Sequence, residues 1–272
     1  MQDRTIELGT SAVAELSACC RVSYGHPLAR WVLGDSLHPG GLALSSRLAG
    51  QMGIRASSRV LDIGSGLGAT AVHLSRTIGC RVTGVTLEEE GIAVGKELAR
   101  REGVEDRVSW VCGDVQKIEL EAITFDFVVV ECVLSILADK AGALRRLHGM
   151  LKAGGRLGLT DVTVSGTLPP RLQGLLATVG CVGGALSSAG YRELLEAEGF
   201  VVERSEDCGD VAASFLHDIR GKLLVGEIAW KLGKLPIGEG ALAEAQRLLE
   251  SVEEQVERGV LGYGLAVARK PG

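Results

Sequence analysis

The feature that most constrains this chain is a change of period at Ser58. Beyond it, short runs of apolar β-formers alternate with helical patterns of about 10–15 residues. RVLDIG (59–64) reads as a buried strand and ATAVHLSRTIG as a helix. RVTGVTL (81–87) is a second strand, EEEGIAVGKELARREG a helix, VSWVCGD (108–114) a third strand and FDFVVVECV (125–133) a fourth. DKAGALRRLHGMLKAGG reads as a helix closed by its glycine pair, followed by strand RLGLTDVTV (156–164). SSAGYRELLEAEGF starts with Ser and stops with Gly, as a helix does. Strand VVERSED, two amphipathic helices at about 210–233 and 239–258, and strand GYGLAVARK complete the chain. This order predicts an α/β protein: a mostly parallel seven-stranded sheet with helices on both faces. The helical pair is an insertion before the last strand, and such insertions usually cover a site. Residues 1–56 read as an N-terminal helical segment or lid, broken at CCRVSYGHPLARWVLGDSLHPGG, and residues 57–272 as the main domain.

Composition narrows the function. Apolar residues make up 46% of the 272, enough for a sizeable core, and aromatics only 4%, so aliphatic packing must dominate it. The formal charge is −5 with no basic stripe, which argues against nucleic acid, since that affinity needs clustered Lys and Arg. The first residues carry acids and no apolar h-region, and no apolar run reaches about 18 residues, so neither a secretory signal nor a membrane span is expected. Seven cysteines, an odd number, argue for free thiols in a reduced, cytoplasmic setting. A small-molecule partner is expected, with monomer and dimer both open.

The sharpest motif is Asp62-Ile-Gly-Ser-Gly-Leu-Gly68, directly after the first strand. Glycines there allow a tight turn and close approach of a ligand to the main chain. GSGLGA also matches the G-x-G-x-x-G/A pattern of dinucleotide sites, a weak signal alone. Asp62 tips the balance, because a carboxylate beside the turn suits a cationic amino-acid ligand better than a pyrophosphate. Asp114, ending the third strand, falls at the carboxyl edge where ligands of such sheets bind. The competing role for both acids is capping of turns.

VLDIGSGLG, RVTGVTL, VCGDV, FDFVVVE and LKAGGRLGLTDV, in this order over 57–165, resemble the class I S-adenosylmethionine-dependent methyltransferases, whose fold is Rossmann-like. The resemblance implies S-adenosyl-L-methionine as cofactor and S-adenosyl-L-homocysteine as product. It implies that Gly64, Ser65, Gly66 and Gly68 wrap the methionine part, that Asp62 lies near its amino group, and that Asp114 and Val115 hold the adenine. The family usually has an acid at the end of the second strand for the ribose, and this chain has Thr86. Thr-Leu occurs there in cyclopropane-fatty-acid synthases, so Thr86, Leu87 and Glu88 are alternative ribose contacts.

Methyl transfer from a sulfonium is an in-line displacement, so the protein mainly aligns a nucleophile. Protic nucleophiles commonly need a base, whereas a soft atom with its own lone pair does not. ECVLSILADK, Glu131 to Lys140, lies where the methyl is delivered, and with Gly180-Cys181-Val182-Gly183-Gly184-Ala185-Leu186 it resembles arsenite methyltransferases. That resemblance implies Cys132 and Cys181 as thiolate ligands of a trivalent metalloid, with a third thiol from Cys19-Cys20, of which Cys20 is preferred. Soft thiolates suit a thiophilic centre. Tyr24, His26 and His38 are expected to line the pocket, Tyr24 and His38 together with Glu131 at the cofactor, with capping and turn chemistry competing for all three and most strongly for His26. The departures are Glu131 where that family has Asn, the N-terminal spacing, and the helical pair. The first alternative is therefore methylation of a small organic oxygen, nitrogen or carbon acceptor, with Glu131 or His38 as base. An NAD-dependent oxidoreductase and a non-catalytic cofactor-binding protein rank below it. Cys80 and Cys112 read as small buried residues, Cys208 mainly so, and without a C-x-x-C pair no resident metal is expected. Glu88-Glu89-Glu90 reads as a helix N-terminus.

Overall fold

A computed structural model describes residues 38–118, 124–170, 172, 182–231 and 241–272. Helix α1 (Gly41–Met52) leads into strand β1 (Arg59–Ile63), helix α2 (Ala69–Ile78), strand β2 (Arg81–Thr86), helix α3 (Glu89–Arg101) and strand β3 (Val108–Cys112). Strand β4 (Phe125–Glu131), a 3-10 turn (Leu134–Ile136), helix α4 (Lys140–Met150) and strand β5 (Leu151–Val164) follow. Helix α5 (Ser188–Ala197), strand β6 (Val201–Asp207), helices α6 (Gly209–Lys231) and α7 (Ala241–Glu257) and strand β7 (Leu261–Arg269) complete the described chain.

The strands form one seven-stranded sheet in the order β3-β2-β1-β4-β5-β7-β6. Neighbours from β3 through β5 pair in parallel, and β7 runs antiparallel between β5 and β6. Alternation along the strands sends side chains to two cores. Val129, Phe127 and Tyr263 face α1, α2 and the start of α6, while Val128, Val130 and Leu159 face α4 and α5. Helix α1 drops Leu48 and Met52, both fully buried, onto the first of these cores. Burial of each such side chain is worth roughly 1.5–3 kcal/mol, so this helix is anchored to the sheet. Helix α3 comes close to β3 because Gly95 has no side chain: a Cβ there would stand 2.5 Å from the Trp110 ring.

Every element expected after Ser58 is present, and two local readings change. The glycine pair Gly154-Gly155 does not close a helix. Helix α4 stops at Met150, and the pair lies within β5, where Gly154 N–H donates to the Lys270 carbonyl and Lys270 N–H to that of Gly155. Cys112, expected to be buried, is exposed at the end of the sheet's edge strand. Cys208 is completely buried, and burial pushes its thiol up, which is core packing rather than ligation. Cys20, Tyr24 and Cys181, together with Cys19 and His26, lie outside the described residues.

Candidate active site

The carboxyl ends of β1 and β4 lie side by side at the middle of the sheet, and the chain leaves β1 through the glycine turn. Gly64, Gly66 and Gly68 have φ of 70°, 52° and 86°, the left-handed region that a side chain disfavours. Two of them are also sterically bound to be glycine: a Cβ at Gly64 would overlap Val133, and one at Gly68 would overlap Trp110. Ser65 pins the turn to β2, its N–H donating to the Val85 carbonyl at 2.9 Å and its hydroxyl to the same oxygen at 3.3 Å. Gly64 is exposed and residues 65–67 are partly so, which leaves main-chain atoms of the turn within reach of a ligand.

Asp62 is 2% exposed, beneath this turn. The Ala71 N–H meets its carboxyl, but Oδ2 has no hydrogen-bond partner. Burial, and next the neighbouring charge of Glu131, hold this carboxyl well above the ordinary range. A buried acceptor without a donor is unusual, and an ammonium group is the partner that would complete it. The residues at the turn thus fit the amino-acid end of the cofactor implied by the sequence.

Glu131 ends β4 and is buried at 8% exposure. Ser45 of α1 donates to its Oε1 at 2.9 Å and Oε2 at 3.1 Å, and Thr70 of α2 donates to Oε2 at 2.7 Å. His38 completes the group, with Nε2 3.6 Å from Glu131 Oε2 and Nδ1 3.1 Å from the Pro39 carbonyl oxygen. His38 is 6% exposed, and its Nε2 has no hydrogen-bond partner. Nothing in the sequence marks Ser45, which sits in an ordinary amphipathic helix. Thr70 had one available signal, a hydroxyl in the first turn of the helix after the glycines.

Cys132 follows Glu131 and is half-buried against the core beside α1, near Tyr263. Among the described residues it is the one non-glycine at positive φ, 56°. Its N–H donates to the Thr160 carbonyl at 2.7 Å, and Tyr263, fully buried and held above its usual range by burial, lies 3.3 Å from the Thr160 hydroxyl. The segment after Cys181 reaches the same edge: Gly184 packs so closely on the Ser135 carbonyl that a Cβ would overlap it. Asp161, unmarked by the sequence reading, accepts from the Ser135 N–H at 2.9 Å and ties this loop to β5.

At the outer edge, Thr86 is buried, Leu87 is 46% exposed and Glu88 is exposed at the start of α3 without capping it. Thr86 is thus the buried member of the three ribose candidates. Asp114 turns its Oδ1 back on the Gln116 N–H at 2.9 Å, so it shapes the turn that buries Val115. Gln116 in turn accepts from the Asp139 N–H at 2.9 Å, linking this turn to the start of α4. No group of residues suited to hold a metal ion occurs among those described, and no described helix is long and apolar enough to cross a membrane.

Comparison with known proteins bears on this geometry. Residues 61–159 match the family described as a methyltransferase domain. The chain is 31% identical over 135 residues to methyltransferase GfsG of Streptomyces halstedii, covering 49% of this chain and 48% of that one. It is 32% identical over 214 residues to an arsenite methyltransferase of Aquipseudomonas alcaligenes, covering 72% of this chain and 60% of the relative. The chain thus spans about half the length of the curated relatives it matches. A phosphoethanolamine N-methyltransferase of Haemonchus contortus, solved with S-adenosyl-L-methionine, shares the fold at a TM-score of 0.73 and 21% identity, over 89% of this chain and 56% of that one. The antiparallel β7 between β5 and β6 also departs from the 3-2-1-4-5-6 order of dinucleotide folds, which removes the support for an NAD enzyme. Motif order, matched domain and sheet topology agree: the chain has the Rossmann-like fold of class I methyltransferases, and residues 61–159 match a methyltransferase domain.

Proposed function

We propose that this protein transfers the methyl group of S-adenosyl-L-methionine to a small-molecule acceptor at the carboxyl edge of β1 and β4. The observation that carries the reading is the buried Asp62 carboxyl, with Oδ2 unpartnered, beneath a turn of three left-handed glycines. The bound cofactor would supply an electrophilic methyl on sulfur. Asp62 would receive its ammonium, Gly64 and Gly66 its main-chain contacts, Thr86 the ribose, and the turn built by Asp114 and Val115 the adenine. The protein's task is then alignment and exclusion of water, which positioned contacts accomplish.

For the acceptor, the first reading is a thiol-bound trivalent metalloid such as arsenite, with Cys132, Cys181 and Cys20 as sulfur ligands. It is supported by the half-buried Cys132 at the end of β4, by the close packing of Gly184 on the Ser135 carbonyl, and by the arsenite methyltransferase relative. A lone pair on the metalloid needs no base. The second reading is a protic organic acceptor, and the observation favouring it is His38 Nε2, buried and unpartnered beside Glu131. A proton taken from the acceptor would there meet a carboxylate that stabilises the imidazolium.

Calorimetry tests both levels. S-adenosyl-L-methionine should bind the wild type, and arsenite should bind in its presence. Cys132→Ser should abolish arsenite binding and leave cofactor binding intact. Absence of cofactor binding would sink the methyltransferase reading. Full turnover of the physiological acceptor by both Cys132→Ser and Cys181→Ser, with cofactor still bound, would remove the metalloid and leave the protic acceptor.

A further inference from the structure

Two acids share the centre of this site. Asp62 and Glu131 end adjacent strands, face the same side of the sheet and are both buried. Among the described residues, no lysine or arginine forms an ion pair with either, and the nearest group able to carry positive charge is His38, at 3.6 Å from Glu131. Ser45 and Thr70 fix the Glu131 carboxylate by donating three hydrogen bonds from two neutral hydroxyls. Those bonds orient the negative charge without cancelling it. Burial, and after it the charge of Glu131, raises the Asp62 carboxyl, and its Oδ2 remains without a donor. Two fixed acceptor groups in a low-dielectric pocket favour a ligand with more than one positive centre.

Resting on the cofactor reading above, we propose that Glu131 makes the site selective for the sulfonium charge, so that it holds S-adenosyl-L-methionine more tightly than S-adenosyl-L-homocysteine. The two ligands share the ammonium and the adenosine, and differ at sulfur by a methyl and a positive charge. Asp62 meets the shared ammonium and cannot tell them apart. Glu131 lies one strand over, towards the edge where the methyl is delivered, and its charge interacts with only one of the pair. Product departure is then favoured by the reaction itself, which removes the charge that Glu131 attracts. This role is independent of the acceptor and assigns a use to the residue by which the chain departs from the arsenite methyltransferase pattern.

Calorimetric titration of the full chain with each ligand, without acceptor, tests the proposal. The wild type should bind S-adenosyl-L-methionine about tenfold tighter than S-adenosyl-L-homocysteine. Glu131→Gln should weaken the first ligand about tenfold while changing the second less than about twofold, closing the gap. Thr70→Val, which removes a hydroxyl and keeps the charge, should retain most of the preference. Equal weakening of both ligands by Glu131→Gln, or an unchanged preference, overturns the charge reading. If the wild type binds neither ligand, the cofactor reading itself fails. Should Glu131→Gln not fold, as judged by thermal unfolding, Glu131→Asp carries the test: it must keep a preference for the charged ligand, and loss of that preference in a folded protein counts against the proposal.

Discussion

At the scale of single residues, Cys132 carries the clearest sign of constraint. A non-glycine in the left-handed region costs about 1–2 kcal/mol and persists where the surroundings over-determine it. The conformation turns the chain out of β4 while keeping the Cys132 and Glu131 side chains on the α1 side, with Val133 packed over Gly64. The thiol in this position is therefore held at the cost of backbone strain. Comparison of Cys132→Ala with Cys132→Gly isolates the strain, because both remove the sulfur. The glycine variant should be the more stable by about 1 kcal/mol, the reverse of the usual order at ordinary positions. Urea unfolding of the two variants reads this directly, and equal stabilities would mean that Cys132 relaxes out of the left-handed region.

At the scale of elements, the loop from β4 to α4 is held by β5 through one buried acid. Asp161 is 1% exposed, accepts from the N–H groups of Ser135 and Val162, and is pushed up to about 6 by burial, against the opposing pull of those hydrogen bonds and, last, of Lys140. A carboxyl raised in the folded state prefers its proton there. Its stabilising contribution is fully present below the ordinary value of 3.8 and is lost as the pH rises through about 6. The interval corresponds to about 3 kcal/mol. Unfolding free energy measured between pH 4 and 7 should thus fall more steeply with pH in the wild type than in Asp161→Asn, and parallel curves would refute the assignment. The elements themselves were largely legible, because alternation of period 2 with amphipathic helices survives any detail of packing. The start of β5 was not: a glycine pair after a helix normally ends it, and here Gly154 and Gly155 pair with Lys270 from the far end of the chain. Cys112 was misread for a related reason, since a strand's place at the sheet edge is a property of the sheet order and not of its own residues.

At the scale of the whole molecule, the sequence exposed one half of the site better than the other. The glycines and Asp62 follow one another along the chain, so the turn they make is a local signal. The group around Glu131 draws on α1, α2, β4 and the His38 turn, and only the tertiary fold brings Ser45 within 2.9 Å of that carboxylate. The same dispersal sets how a ligand acts on stability. Strands β1 and β4 are central neighbours in the sheet, and the sheet is the shared wall of both cores. A site built on their ends cannot open by peripheral fraying, so cofactor binding must be felt in the global transition. Helices α6 and α7 differ: they pack chiefly on each other and on β7, and leave Leu224, Val225 and Ile228 exposed. At a cofactor concentration about 100 times its dissociation constant, binding adds about 2.7 kcal/mol to unfolding, enough to raise the midpoint temperature by about 5 °C or more in a protein of this size. The shift should appear equally in the near-ultraviolet dichroism sensitive to Trp110 on β3 and in the far-ultraviolet signal of the backbone. A shift confined to one probe, or a separate cofactor-dependent step, would mean that the β1–β4 edge unfolds apart from the rest of the sheet.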